Sequence, residues 1–199
     1  MKKNLLAAAL LSVAATGAFA QAKSFEGFSV GVSGSFVGNT TQLSGGGANL
    51  NVGDSNLVAT GEVGYTHAIT DKFTLGISGT YDFTDVNSGK LSADDGTNYQ
   101  LKGKNHYSIN LKPGFALSKE ALVYALVGYN SMEGSITNTT GTTTFTGIGY
   151  GVGAQVMFTN NIYGKVEIQQ VTYDSKTVFT TSSAKPISNV GTIGIGYKF

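Results

Sequence analysis

The chain has 199 residues, with 13 basic residues against 12 acidic ones and a formal net charge of +1. A balance this close to neutral supplies no bulk electric field that would favour nucleic acid. The absence of cysteine excludes a disulfide framework and any cysteine-based metal site, and we expect neither a metal nor a cofactor.

The first twenty residues have the three parts of a secretory signal peptide. Two lysines after the initiator methionine precede an apolar run, Leu5–Val13, and the small-x-small cleavage signature Ala18-Phe19-Ala20. The apolar run is shorter than the ~20 residues that a membrane-spanning helix needs. We therefore expect residues 1–20 to be removed and residues 21–199 to form one domain. Loss of the two lysines changes the formal charge from +1 to −1.

Eight segments of the remaining chain alternate apolar and polar residues, which is the period-two pattern of a β-strand with unlike faces. The clearest of them sets Phe73, Leu75 and Ile77 against Thr74 and Ser78. In chain order the predicted strands are 27–37, 57–68, 73–84, 101–115, 121–130, 145–158, 162–169 and 189–199. The fifth segment is apolar on both faces, so its orientation stays open.

The connections between these strands alternate in length. Short ones fall at "ITDK", "LSKE" and "FTNN", and long polar ones fall at about 39–55, 85–100, 131–144 and 172–186. Tight turns on one side and long loops on the other, joining an even number of strands, are typical of an outer-membrane barrel. The predicted fold is all-β: an eight-stranded antiparallel up-and-down transmembrane β-barrel with short periplasmic turns and four long extracellular loops. The last strand then pairs with the first, which leaves no backbone edge in lipid.

Aromatic residues form two predicted bands, as expected of girdles at the two membrane interfaces. Near the short turns and the C-terminus lie Tyr65, Phe73, Phe115, Phe158, Tyr197 and Phe199, and near the long loops lie Phe36, Phe83, Tyr129 and Phe145. A soluble barrel of the lipocalin type is the alternative, since it would bury the apolar face and expose Lys102, Lys104, Lys165 and Glu167. The two aromatic bands favour the membrane barrel.

The last strand, "NVGTIGIGYKF", ends on an aromatic residue. Ile193, Ile195, Tyr197 and Phe199 occupy alternate positions, and this pattern resembles the C-terminal signature by which Gram-negative barrels are recognised for insertion. "SINLKPGFAL" followed by "VYALVGYN" is similar to the middle of porin-family sequences. Residues 21–199 therefore resemble the eight-stranded family of the opacity proteins, outer membrane protein X and the barrel domain of outer membrane protein A.

This resemblance implies a location and a set of partners. We expect a monomeric barrel in the cell outer membrane, surrounded by outer-membrane lipid and inserted by the barrel-insertion machinery. The long loops are expected to contact an extracellular ligand or a host surface. Leu126 departs from the family pattern, which often has a basic residue at that position.

Ionisable residues also fall on the face that points into the predicted lumen. They are Glu62, Asp82, Lys102, Lys104, His106, Lys165 and Glu167. Side chains nearly fill the space that eight strands enclose, and a lone buried ion is costly, so we expect these charges to pair. Counting from the short turns places Asp82 and Lys104 at similar heights on neighbouring strands, and Glu62, Lys165 and Glu167 lower.

The predicted lumen can be interpreted as a structural core or as a narrow channel. A glycine stripe on the sixth strand would leave room for long lysines to cross the lumen: Gly147, Gly149, Gly151 and Gly153. We interpret the network as a polar, ion-paired core with a structural role. The alternative is a narrow diffusion channel for small solutes.

His106 and Ser108 are the enzymatic candidates of the sequence. Some lipid A deacylases are small barrels with a His-x-Ser pair, which makes a lipid A-modifying enzyme a remote alternative. In those barrels the pair faces lipid near the C-terminus, whereas here it shares the lumen face with Lys104. Because nucleophilic catalysis needs its base and nucleophile at a reachable substrate, we interpret the pair as polar lumen lining. The sequence predicts a non-enzymatic surface protein.

Overall fold

The structure, a computed structural model, describes residues 21–45, 48–92, 98–136, 141–179 and 182–199. A short 3-10 helix, η1, covers Ala22–Phe25. The strands are β1 Gly27–Gly45, β2 Ala48–Ala68, β3 Phe73–Asp82, β4 Val86–Ser92, β5 Asn98–Ala116, β6 Ala121–Ile136, β7 Thr142–Met157, β8 Ile162–Tyr173, β9 Lys176–Phe179 and β10 Ser182–Lys198. Among the residues described, no helix has the length and apolar character needed to cross a membrane.

The ten strands form a barrel with eight strand positions around its circumference, and we call each position a stave. β3 and β4 pair with successive parts of β5 and form one stave, and β8 and β9 pair with β10 in the same way. Every pairing is antiparallel, and β1 also pairs with β10, from Ser29 opposite Lys198 to Gly45 opposite Ser182. This pairing closes the sheet, which confirms the predicted eight-stranded up-and-down barrel.

The outer surface of the barrel is apolar, and the polar face of the strands points inward. On β3, Phe73, Leu75 and Ile77 are exposed, whereas Thr74 and Ser78 between them are buried. An apolar surface this extensive around a barrel is the surface that lipid covers. The soluble alternative, with its apolar face inside, is therefore wrong.

Aromatic side chains mark both ends of the apolar surface. At the short-turn end, Phe28 packs against Tyr65 with ring centroids 4.7 Å apart, and Phe73 packs against Phe115 at 5.2 Å. Exposed aromatic residues toward the other end include Phe36, Phe83 and Tyr129. Phe145 was predicted in this second band but lies buried inside the barrel, because its side of β7 faces the lumen.

Much of each long connection is strand rather than loop. Residues 39–45 and 48–55 continue β1 and β2 as a paired ribbon, with Thr40 opposite Gly53 and Ser44 opposite Asn49. Strand also extends into the segments predicted as loops at 85–100, 131–144 and 172–186. The sequence pattern fails here because a strand beyond the lipid needs no apolar outer face, so the alternation that predicts strands disappears.

The helix η1, which the sequence analysis did not predict, fills the short-turn end of the lumen. Ala22 and Phe25 are buried, and Ala22 donates a backbone hydrogen bond to the Asp71 carbonyl at 2.9 Å. They pack in one apolar cluster with Ala116, Leu122, Tyr124, Leu126, Met157 and Tyr163. Gly27 then takes φ 134°, a conformation open to glycine, and leads the chain into β1.

Candidate functional site

Four ionised side chains from three staves meet in the lumen, and we name them the ion cluster. Lys112 of β5 donates to Glu62 of β2 at 2.8 Å and to Glu167 of β8 at 2.9 Å. Lys165 of β8 donates to the same two carboxylates at 2.9 Å and 3.2 Å. No side chain of the ion cluster is more than 14% exposed. Two positive and two negative charges balance, and each ion has two partners, which offsets the cost of burying them.

The structure brings three predicted lumen residues, Glu62, Lys165 and Glu167, into the ion cluster. The fourth member, Lys112, is missing from the predicted set of lumen ions. The sequence pattern could have placed Lys112 in the lumen, because it follows Asn110 by two residues and so lies on the same inward face of β5.

Tyr124 of β6 joins the ion cluster. Its hydroxyl donates to a Glu167 carboxylate oxygen at 2.7 Å, and the Lys112 ammonium lies 5.5 Å from the centre of its ring, within reach of a cation–π attraction. Leu122, Tyr124 and Leu126 are buried, so the even-numbered face of β6 points inward. That settles the orientation left open by the sequence, in which both faces of this strand are apolar.

A second polar group lies between the ion cluster and the long connections. One Asp82 carboxylate oxygen accepts from the Thr60 hydroxyl at 2.6 Å, and the other is 2.7 Å from His106 Nδ1. The Ser108 hydroxyl is hydrogen-bonded to that of Thr80 at 2.7 Å. His106 Nε2 is buried with no hydrogen-bond partner in the described part of the chain. His106 and Ser108 therefore lack the direct hydrogen bond of a nucleophile with its base.

A β-bulge reverses the alternation of β5 just beyond His106. The register between β5 and β6 shifts between Lys104 and Tyr107, and Asn105 takes φ 49°. Past the bulge, the Cβ position of Gly103 points at the buried Met132 side chain, so Gly103 faces the interior. One extra residue in a strand moves every following side chain to the opposite face.

The bulge places Lys102 and Lys104 outside the lumen. Lys104 is 45% exposed and lies 4.0 Å from exposed Asp85. The prediction that these two lysines line the lumen is wrong, and so is the inferred neighbourhood of Lys104 and Asp82. His106, on the short-turn side of the bulge, is the residue that lies beside Asp82.

Gly153, in the glycine stripe of β7, makes room for an aromatic ring and not for a lysine. A Cβ at Gly153 would lie 2.6 Å from ring atoms of Tyr124. Lys165 instead extends past Gly194 of β10, whose Cβ position is 3.2 Å from Lys165 Cε. Close contact with β7 thus holds the Tyr124 ring where its hydroxyl reaches Glu167.

We expect Gly153→Val to lower the free energy of unfolding by ~1–3 kcal/mol, because the Tyr124 ring must leave its place. Gly34→Val is the matched control, since a Cβ at Gly34 meets nothing within 4 Å. Urea unfolding in lipid vesicles, followed by the difference in gel mobility between boiled and unboiled samples, measures both variants. Equal stability of the two would contradict the packing of Tyr124 on Gly153.

Two cavities flank the ion cluster. One, of about 70 Å³, extends toward the long connections and is lined in part by Asp82 and His106. The other, of about 30 Å³, lies on the side of the short turns. Because a buried water needs at least ~10–15 Å³, both have room for water. Glu62, Lys112 and Lys165 line both cavities and form the partition between them.

Apolar side chains lie beyond both cavities. The η1 cluster fills the short-turn end. Toward the long connections, two further clusters occupy the interior: Met132, Phe145, Val171, Tyr173 and Ala184 in one, and Val37, Val58 and Val86 in the other. The ion cluster is thus held between apolar layers, where a low effective dielectric strengthens its pairing.

The predicted insertion signal lies on the lipid-facing side of β10. Ile193, Ile195, Tyr197 and Phe199 are all exposed, Phe199 to 69%. The rings of Tyr197 and Phe199 are 5.0 Å apart. The Phe199 backbone N–H donates to the Phe28 carbonyl at 2.9 Å, so the end of the chain is held against β1.

Comparison with known proteins agrees with this architecture. The family described as "Outer membrane protein beta-barrel domain" matches residues 6–199. No curated protein matches the chain significantly.

Several solved structures share the fold at low sequence identity. OprG from Pseudomonas aeruginosa has a TM-score of 0.52 and 12% identity, over 87% of this chain and 97% of its own. Ail, the attachment invasion locus protein of Yersinia pestis, solved with the heparin analogue sucrose octasulfate, has a TM-score of 0.50 and 15% identity, over 87% and 99%. The outer membrane protease OmpT from Escherichia coli has a TM-score of 0.50 and 10% identity, over 88% and 97%. At these identities the likeness is one of fold.

Proposed function

Because this chain belongs to the outer membrane protein β-barrel family and is an outer-membrane protein, we propose that it acts at the cell surface without catalysis, through its extracellular hairpins. In this proposal the hairpins contact an extracellular ligand or a host surface, and the barrel anchors them. The observation that carries the proposal is the filled lumen. The ion cluster crosses it, and apolar clusters occupy the interior on both sides.

The hairpins themselves support a role in contact. β1 and β2 remain paired as far as Gly45 and Ala48, so backbone hydrogen bonds hold this ribbon in shape where it leaves the membrane. The part of the barrel around β4, β5 and β6 carries charges of both signs. Lys104 lies near Asp85, and the Asn105 side chain donates a hydrogen bond to the Glu133 carboxylate. This mixed surface gives no reason to transfer the sulfated ligand of Ail to this chain. We leave the ligand class to experiment.

We expect the purified protein to produce no stable single-channel steps in planar lipid bilayers. The ion cluster lies across the lumen between a cavity of about 70 Å³ and one of about 30 Å³, and apolar clusters occupy the interior beyond them. Stable steps in the wild type would overturn the anchoring proposal and favour the channel. In that case Lys112→Ala should change the conductance if the path crosses the ion cluster, whereas Lys104→Ala, outside the lumen, should leave it unchanged.

One observation favours the narrow channel as the second candidate. The two cavities share the ion cluster as their partition, so a rearrangement of these side chains would join them. A lipid A-modifying activity stays a remote third candidate, and mass spectra of lipid A from cells with and without the protein test it. A mass change that disappears with Ser108→Ala would establish that activity.

A further inference from the structure

Toward the long connections, the wall of the barrel divides into two sheets. The outer parts of β10, β1 and β2 stay paired with one another and with β9, and we name them the first outer sheet. The outer parts of β5, β6 and β7 stay paired with one another and with β4, and we name them the second outer sheet. Among the described residues, no strand pairing joins β2 to β4 or β7 to β9. A seam therefore separates the two outer sheets at each of these places.

The Asn56 side chain bridges the seam between β2 and β4. β2 pairs with β3 only as far as Thr60, and the Phe83 N–H then donates to the Ala59 carbonyl at 2.8 Å. Farther out, Asn56 Oδ1 accepts from the Asn87 backbone N–H at 2.9 Å, and Asn56 Nδ2 donates to the Asn87 carbonyl at 2.7 Å. We name this bridge the latch. One side-chain amide thus makes the two hydrogen bonds that a neighbouring strand makes in an antiparallel ladder.

An apolar cluster closes the same seam from the inside. Val37 of β1 and Val58 of β2 belong to the first outer sheet, and Val86 of β4 belongs to the second. Val58 is fully buried, and Asn56 lies two residues farther out on the same inward face. Val37 and Val86 also line the lumen cavity of about 70 Å³. The three valines and the latch therefore lie between this cavity and the outside.

The seam between β7 and β9 is closed more firmly. The Asp174 N–H donates to the Thr146 carbonyl at 2.8 Å, which continues the backbone ladder, and the Thr146 hydroxyl donates to the Asp174 carboxylate at 3.1 Å. The cluster behind it has five buried members, among them Phe145 of the second outer sheet, Ala184 of the first and Tyr173 of β8. Two aromatic rings bury more apolar surface than three valines do. The β2–β4 seam is thus the weaker of the two.

We infer that the β2–β4 seam is the outer entrance of the lumen and that Asn56 holds it closed. Backbone ladders join the strands within each outer sheet, whereas the latch consists of the hydrogen bonds of one side chain. Local opening therefore separates the outer sheets at this seam before it disrupts either sheet. When Asn56 releases Asn87, the three valines move apart and solvent enters the cavity of about 70 Å³. The ion cluster still crosses the lumen below this cavity, so the opening gives access without a path through the barrel. It requires no ligand and is independent of the surface role proposed above.

The test follows the reaction of a single thiol behind the latch. The chain contains no cysteine, so Val58→Cys introduces a unique thiol at a fully buried position. The barrel is placed in lipid nanodiscs with a small water-soluble maleimide, and mass spectrometry measures the rate of modification. We expect slow modification in Val58→Cys alone. Asn56→Ala removes both hydrogen bonds of the latch and should raise the rate about tenfold, because the thiol reacts only when the seam is open.

Two controls separate the seam from general loosening. Asn105→Ala removes the hydrogen bond to Glu133, which lies within the second outer sheet, and should leave the rate at Val58→Cys unchanged. Ala184→Cys places the thiol in the cluster behind the β7–β9 seam, at a position only 2% exposed. Asn56→Ala should leave the rate at Ala184→Cys unchanged.

The mobility difference between boiled and unboiled samples shows that each variant is folded, and Val37→Cys replaces Val58→Cys if the latter does not fold. A rate at the thiol that Asn56→Ala leaves unchanged would overturn the inference. An equal rise at Ala184→Cys would also overturn it, since the whole outer end would then loosen. Complete protection of the thiol in both backgrounds would show that the seam stays closed, and the inference would again be wrong.

Discussion

Lys165→Met is expected to lower the free energy of unfolding by about 3–5 kcal/mol, the range found when one partner of a buried ion pair is removed. Lys165 is the least exposed member of the ion cluster and donates to both Glu62 and Glu167. Without it, two carboxylates share the single ammonium of Lys112, and one buried negative charge has no compensation. Urea unfolding in lipid vesicles, followed by heat-modifiable gel migration, measures the loss.

Two controls separate charge balance from packing. The double variant Lys165→Met with Glu62→Gln is again neutral, so it should recover a large part of the lost stability. Lys104→Met removes an exposed lysine beside Asp85 and should change stability by no more than about 0.5 kcal/mol. If Lys165→Met unfolds at the same urea concentration as Lys104→Met, the ion cluster does not stabilise the folded barrel.

The sequence predicts the barrel well because alternate residues of a strand face lipid, where side chains are apolar, and the lumen, where many side chains are polar. On β8, Val166 and Ile168 face lipid while Lys165 and Glu167 meet inside. Such alternation is visible in the sequence of each stave with one polar face. β6 is apolar on both faces, and there the structure alone shows that Tyr124 points inward.

The failures of prediction have local causes. The bulge at Asn105 adds one residue to β5, so counting by twos places Lys104 inside when it is outside. η1 has four residues, too few to show a periodic pattern, and its burial depends on side chains from distant strands such as Leu122 and Met157. The ribbons beyond the lipid lose the apolar alternation although their backbones stay paired. For η1 the deciding factor is tertiary packing, which a linear pattern does not contain. For the ribbons it is the aqueous surroundings, which do not require apolar side chains on the outer face.

Deletion of Phe199 is expected to lower the amount of assembled barrel in cells severalfold, while the purified chain still refolds in detergent. The Phe199 ring is 69% exposed toward lipid, and burial of such a ring at the interface contributes roughly 1–3 kcal/mol. Deletion also removes one backbone hydrogen bond, from Phe199 to Phe28. A closed barrel with long paired staves tolerates that loss. Insertion suffers more if the insertion machinery recognises the terminal aromatic residue, as the resemblance to other Gram-negative barrels implies.

Phe158→Ala is the matched control for this deletion, because Phe158 is an equally exposed aromatic residue at the same end of the barrel, 65% exposed, but is not terminal. It loses a comparable ring and should assemble in cells at close to wild-type levels. Lys198→Ala removes the hydrogen bond from the lysine ammonium to the Glu26 carbonyl, 3.2 Å long, and should have little effect in cells or in detergent. Quantitative immunoblots of unboiled outer membranes and refolding yields in detergent are the two measurements. If the Phe199 deletion fails equally in both, or if Phe158→Ala reduces assembly as strongly, the terminal ring acts through packing and its role as an insertion signal must be abandoned.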